Sequence, residues 1–119
     1  MIFKNAAVFL ENRFVTCDVA VEDGRIAAIG DHLGDGMDCT GLRLLPGLVD
    51  IHTHGCAGYD FDHADHRQLA EMSACYLRHG VTAVLATLMT NPRALLLEAA
   101  GNCSAAVAPI FGQGVQAGV

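Results

Sequence analysis

The chain has no tryptophan, only two tyrosines and three prolines, and just seven basic side chains in 119 residues. Few aromatic rings and no Lys/Arg cluster leave neither the stacking surface nor the basic patch of a nucleic-acid binder. A formal net charge of -6 argues the same way. No apolar run reaches the roughly 18 residues of a membrane span, so no membrane partner is expected. Met1 to Leu10 lacks both a long apolar core and a small-residue cleavage site, and does not read as a signal peptide. The five cysteines (Cys17, Cys39, Cys56, Cys75 and Cys103) are odd in number, scattered and never spaced C-x-x-C. Reduced thiols in a cytoplasmic protein are the expectation, rather than a disulfide framework. Cys17, Cys39, Cys75 and Cys103 read as small buried hydrophobes.

What is abundant is apolar surface. Hydrophobic residues make up 52% of the chain and charged ones 17%, which excludes a disordered polymer and implies segments buried on more than one face. The length suits about one domain and falls well short of the roughly 250 residues of a complete (β/α)8 barrel.

Two regions of different character follow one another. Residues 1–45 read as β. Ala6 to Leu10 is a short apolar run, and Arg13 to Glu22 alternates around Phe14, Val15, Val19 and Val21. Asp23-Gly24 signals a tight hairpin turn, and Arg25 to Ile29 returns as its partner strand. Gly30 to Gly36 is a loop, and Asp38 to Thr40 and Leu42 to Leu45 read as further short strands. The expectation is a meander with one apolar face that needs a second layer.

Residues 46–119 switch to alternating strand and helix. Leu48 to His52 is an apolar strand broken only by Asp50, and Gly55 to Asp62 is a loop. His66 to His79 is helical, with Leu69, Met72, Tyr76 and Leu77 at helical spacing, Asp65 as cap and Gly80 as stop. Val81 to Thr87 is a second apolar strand. Asn91-Pro92 opens a second helix, Asn as cap and Pro in the first turn, running through Leu95, Leu96, Ala99 and Val107 to end before Pro109. Gly112-Gln113-Gly114 matches no phosphate loop and reads as the turn before a third strand, Val115 to Val119. Apolar strands alternating with helices predict a parallel sheet with helices outside it.

The chemistry concentrates at the end of the first of these strands, in Leu45-Pro46-Gly47-Leu48-Val49-Asp50-Ile51-His52-Thr53-His54-Gly55. Side chains alternate along a strand, so His52 and His54 point the same way and form half of a divalent-metal site. Asp50 shares their parity. It would either lie one layer deeper and orient an imidazole, or be a buried acid paired elsewhere. His63 and His66, near Asp60, Asp62 and Asp65, would either bind a metal or form a solvated helix N-terminus, where acids suit the dipole. His79 suits the last helical turn, and His32 lies in a loop without a sequence partner. Cys56 is either a thiolate ligand or part of a tight small-residue loop. Thr87 and Thr90-Asn91 fall on the rim where a substrate pocket would open, with Asn91 also accounted for as a cap.

Pro46 to Gly55 resembles the first-strand motif of the amidohydrolase superfamily. His54-Gly55-Cys56-Ala57-Gly58-Tyr59-Asp60-Phe61-Asp62 and Gly80 to Thr90 are similar to the next loop and second barrel strand of N-acetylglucosamine-6-phosphate deacetylases. The resemblance implies an α/β fold: a small N-terminal β-sandwich segment over residues 1–45, then the first β/α units of a truncated (β/α)8 amidohydrolase barrel over residues 46–119. It implies a homodimeric parent enzyme using a divalent metal ion (Zn, Fe, Mn or Co) to hydrolyse the N-acetyl amide of an amino-sugar phosphate. His52 and His54 match that family's first-strand metal ligands. The family's next ligand, a glutamate in a His-Leu-Glu-Gly-Pro-like segment, and its aspartate base would lie beyond Val119. This chain alone is therefore expected to be inactive, with no catalytic residue assigned. Two other readings stand beside it. One is a dihydroorotase-like cyclic amidase, which an Arg soon after the histidines would favour, though none precedes Arg67. The other is a non-catalytic metal-binding or assembly module.

Overall fold

The computed structural model describes residues 1–106 and 116–118. The chain divides into two compact units, Met1–Pro46 and Gly47–Val119. Val107, Pro109 and Gly112 to Gly114, on which the end of the second helix and the next loop were expected, lie outside the described residues.

The first unit is a five-stranded sheet: β1 (Ile2–Leu10), β2 (Arg13–Glu22), β3 (Arg25–Gly30), β4 (Met37–Asp38) and β5 (Arg43–Leu44). The turn between β2 and β3 has Asp23 at φ 48° and Gly24 at φ 72°, the doubly positive conformation that Asp-Gly favours and that matches strand twist. The expected meander holds for β1 to β3 only. β4 and β5 pair with β1 in parallel, Phe3 and Lys4 facing β4, and Ala7 and Val8 facing β5. Two-residue strands carry too little pattern to reveal direction, so alternation alone could not place them.

Ala6, Val8, Cys17, Val19 and Cys39 form this unit's core. The β1–β2 register slips between Phe3 and Ala6, where Asn5 takes φ 58°. That is a β-bulge at a residue type that tolerates a left-handed backbone. Asp18 is buried and accepts the Asn5 N–H at 2.9 Å and the Leu33 N–H at 3.2 Å. The Asn5 N–H holds the Asp18 carboxyl below the usual carboxylate range; burial opposes this, and the Leu33 N–H, Lys4 and His32 assist.

The second unit runs β6 (Leu48–Thr53), α1 (His66–Arg78), β7 (Val81–Ala86), α2 (Arg93–Ala106) and β8 (Gln116–Gly118). The three strands form a parallel sheet in the order β6-β7-β8, as the strand–helix alternation predicts. Asp65 caps α1 with a full capping box: its carboxylate accepts the Gln68 N–H at 2.8 Å, and Gln68 Oε1 accepts the Asp65 N–H at 2.9 Å. The buried stripe of α1 is Leu69, Met72, Ser73 and Tyr76, a strict i, i+3, i+4, i+7 set. Leu77, expected in the stripe, lies outside it and is exposed, while the small polar Ser73 fills the place. Phe61, Ala64, Val84, Cys103 and Ala106 complete the core.

Helix α2 begins at Arg93, and its first bond runs from the Leu96 N–H to the Pro92 carbonyl. Asn91 therefore precedes the cap position rather than occupying it. Its amide is drawn instead to Asp62, 2.6 Å away. Val49 and Ile51 of the edge strand β6 remain 64% and 70% exposed, since α1 packs on β7.

Two stability measurements check this account. Replacing Asp65 with Ala is expected to cost about 1 kcal/mol by urea denaturation, because the Gln68 N–H loses its acceptor. Because the folded pKa of Asp18 is depressed, its contribution is complete above the ordinary carboxylate value of about 3.9 and is lost as pH falls through the folded value. Thermal melts followed by circular dichroism should therefore show a shallower acid limb in Asp18→Asn than in the parent.

Candidate functional site

The site is built on the C-terminal end of β6, whose ladder to β7 shifts register twice, between Leu48 and Val49 and again between Asp50 and Thr53; the second shift governs the site. β6 pairs with β7 in the register Asp50↔Val84 and Thr53↔Ala86. Three steps along β6 thus match two along β7, so one extra residue is inserted at Ile51–His52. Paired residues of a parallel ladder share a face. Val84 and Ala86 pack in the core against Tyr76, so Asp50 and Thr53 lie on the helix side of the sheet. Thr53 confirms its placement with a 2.8 Å hydrogen bond to the Tyr76 hydroxyl. His52 and His54 flank Thr53 and lie on the opposite face. Their rings meet edge to face, with centroids 5.3 Å apart.

Asp50 therefore does not share the histidines' face, contrary to the expectation from simple alternation. The bulge reverses parity between Asp50 and His52, because a one-residue slip sends every earlier side chain to the other face. Asp50 Oδ1 instead accepts the His52 backbone N–H at 3.1 Å, closing the bulge from behind. On that side its charge, together with burial and the nearby Cys56, raises the Tyr76 phenol to about 12; burial is the largest cause and the Thr53 hydrogen bond opposes it.

The loop after β6 is held tightly. The His54 carbonyl accepts the Phe61 N–H at 3.0 Å, and the Cys56 carbonyl accepts the Tyr59 N–H at 3.0 Å. Gly55 has φ 137°, and a Cβ there would approach the Asp60 Cα to 2.7 Å, so only glycine lets the loop fold back this closely. Asp60 caps the next turn through the His63 N–H (2.8 Å) and Nδ1 (2.9 Å), and the His63 side chain is the main cause of its depressed pKa.

Asp62, expected among solvated acids at a helix start, is 4% exposed. It accepts the Met89 N–H at 3.0 Å and the Asn91 Nδ2–H at 2.6 Å. These bonds tie the loop after β6 to the loop after β7. A buried acid of this kind has no signature in composition, since Asp60 and Asp65 nearby are exposed. Thr87 belongs to the same rim: its Oγ1 accepts the Thr53 N–H at 3.2 Å, and its own N–H donates to the Thr53 carbonyl at 3.0 Å.

The other candidates fall away from the histidine pair. His63 is engaged by Asp60, and His79 Nδ1 lies 2.8 Å from the Cys75 carbonyl at the end of α1. Cys56 turns its thiol toward the Met72 carbonyl at 3.5 Å. Burial, with Cys75 beside it, pushes that thiol up to about 11, so the thiolate a metal needs is disfavoured. All five cysteines are free; Cys17, Cys39 and Cys103 are buried, and Cys75 is half-buried.

His54 Nδ1 is buried and has no hydrogen-bond partner among the described residues. An orphaned imidazole nitrogen beside a second imidazole is the donor set a divalent ion completes. Two imidazoles sharing one tetrahedral ion hold their centroids about 5 Å apart, given metal–nitrogen distances of about 2 Å. The observed spacing fits. No group of three or more His, Cys, Asp or Glu side chains converges among the described residues.

The histidine pair thus stands at the end of a strand in a parallel sheet, in a chain whose first unit is a small β-sheet. The chain is similar in fold and in part of its sequence to several hydrolases. The fold matches N-acetylglucosamine-6-phosphate deacetylase from Pasteurella multocida with a TM-score of 0.79 and 23% identity, covering 88% of this chain and 30% of that one. It matches L-hydantoinase (dihydropyrimidinase) from Arthrobacter aurescens with a TM-score of 0.58 and 24% identity, covering 85% of this chain and 24% of that one. In sequence, allantoinase from Escherichia coli O1:K1 is 54% identical over 57 residues, 45% of this chain and 13% of the allantoinase. No family model matches. The chain thus spans about an eighth of the curated relatives it matches and under a third of the deacetylase.

The Cys56 environment is testable. At pH 8 only about one Cys56 in a thousand is ionised if its pKa is near 11. Native protein treated with iodoacetamide at that pH should leave Cys56 unmodified by peptide mass spectrometry, while denatured protein is alkylated at all five cysteines.

Proposed function

We propose that this chain supplies the first-strand metal ligands, His52 and His54, of a metal-dependent amidohydrolase that cleaves the N-acetyl amide of an amino-sugar phosphate. The observation that carries the reading is the buried, unpartnered His54 Nδ1 beside His52, on a face from which the bulge has removed Asp50. A divalent ion (Zn, Fe, Mn or Co) would activate water and polarise the amide carbonyl. The chain's own residues do the holding. His52 and His54 present two imidazoles from one strand end. Asp50 fixes the His52 backbone, and the Thr53–Tyr76 bond fixes the strand between the two rings. The amino-sugar phosphate and the homodimeric state come from the resemblance of the segments around Gly55 and Gly80. The deacetylase fold is the better match of the two folds.

A second reading is a cyclic amidase, favoured by the 54% identity to allantoinase over part of the chain. Both readings need the same histidine pair and differ in the bond cleaved. The full-length protein loaded with Zn²⁺ should release acetate from N-acetylglucosamine 6-phosphate and leave allantoin and hydantoin intact. Ring opening of either cyclic compound without acetate release would establish the second reading. Replacing His52 or His54 with Ala should lower kcat/KM by more than the roughly 10–100-fold typical of losing a ligand's hydrogen-bond partner, with parallel loss of bound metal by elemental analysis. Full metal content in both variants would sink the assignment.

A further inference from the structure

Asp62 is a buried carboxylate that the proposed chemistry does not use, and its partners come from 27 and 29 residues away. Phe61, its neighbour in sequence, donates its N–H to the His54 carbonyl at 3.0 Å. Two consecutive residues thus grip two rim elements: Phe61 holds the end of β6 that carries the candidate ligand, and Asp62 holds the loop after β7. The Phe61 ring, 2% exposed, anchors the pair in the core, and the Cys103 thiol lies 3.9 Å from the Phe61 carbonyl. The Asn91 side chain, freed from helix capping, serves as a donor to the carboxylate.

We propose that Asp62 is a positioning residue: through Phe61 and Asn91 it clamps the His54 strand end to the rim of β7 and so sets where the His54 imidazole stands. This rests on the metal reading of His52 and His54 for its functional meaning, but the clamp itself has a readout that needs no metal. A buried carboxylate accepting two N–H donors leaves both unpaired when truncated, and the loss is transmitted to whatever those donors hold.

The test uses the full-length protein as wild type, Asp62→Ala, Asp62→Asn, the exchange Asp62→Asn/Asn91→Asp, and Met72→Ala as a destabilised control in the same core. The exchange restores one carboxylate, one amide donor and one acceptor for the Met89 N–H, with the roles reversed. Native-state hydrogen exchange is read at the Phe61 and Met89 amides, and Co²⁺ affinity is read from the visible spectrum. Asp62→Ala is expected to speed exchange at both amides by about tenfold or more relative to α1 amides, and the exchanged pair to recover most of that protection. Co²⁺ binding should weaken about 10–100-fold in Asp62→Ala, and far less in Met72→Ala. An unchanged Phe61 amide in Asp62→Ala and Asp62→Asn, or an equal Co²⁺ loss in Met72→Ala, would overturn the positioning role. Absence of Co²⁺ binding by wild type would overturn the metal reading and, with it, the functional meaning of the clamp; the exchange data would then still decide the clamp.

Discussion

One extra residue in β6 organises everything else in the second unit. Without the bulge at Ile51–His52, the sheet register that buries Val84 against α1 would turn Asp50 to the histidines' face or His52 to the helix layer. With it, the strand satisfies two demands at once. Val49 and Asp50 pair with Ala83 and Val84 of β7, and the strand end delivers two imidazoles to one side and a threonine to the other. The insertion is stabilised by Asp50, which accepts the His52 N–H. Bulges collect near functional sites because they re-aim a side chain without rebuilding the sheet.

The first unit uses the same device for a purely structural end. The bulge at Asn5 in β1 is answered by Asp18, whose carboxylate accepts the Asn5 N–H and a loop N–H from Leu33. In both units an aspartate supplies the acceptor that an interrupted ladder no longer provides. The partners differ in reach. Asp50 closes onto its own strand, whereas Asp18 bridges to another. Asp62 extends the pattern to two loops, accepting a backbone N–H and an amide together. Buried carboxylates are costly unless fully partnered, and Asp18 and Asp62 each accept two or more donors.

Much of this was legible in the sequence where the signal is local and periodic. The Asp23-Gly24 hairpin, the Asp65 cap, the stripe of α1 and the parallel β6–β7 pair all follow from spacing and turn chemistry. What the sequence concealed depends on register or on distant partners. Perfect alternation puts Asp50 on the histidines' face, and a bulge breaks that alternation without any marker in Leu48 to His52. Asp62 looked like one of several acids before a helix, because burial by a loop 27 residues away leaves no periodic trace. Local propensity favours Asn91 as a cap, yet a buried carboxylate offers its amide a stronger partner. The i, i+2 spacing of His52 and His54 survives because the register shift ends at Thr53, before the second ring.

The bulge also bears on the exposed edge of the sheet. β6 is an edge strand of its sheet, with apolar Val49 and Ile51 open to solvent. A flat apolar edge is a template on which a second chain can lay a strand of its own. An insertion in mid-strand interrupts the even row of donors and acceptors that such a strand would need, and Asp50 places a negative charge beside it. The irregularity beside the two imidazoles therefore also makes that edge a poorer template for an added strand.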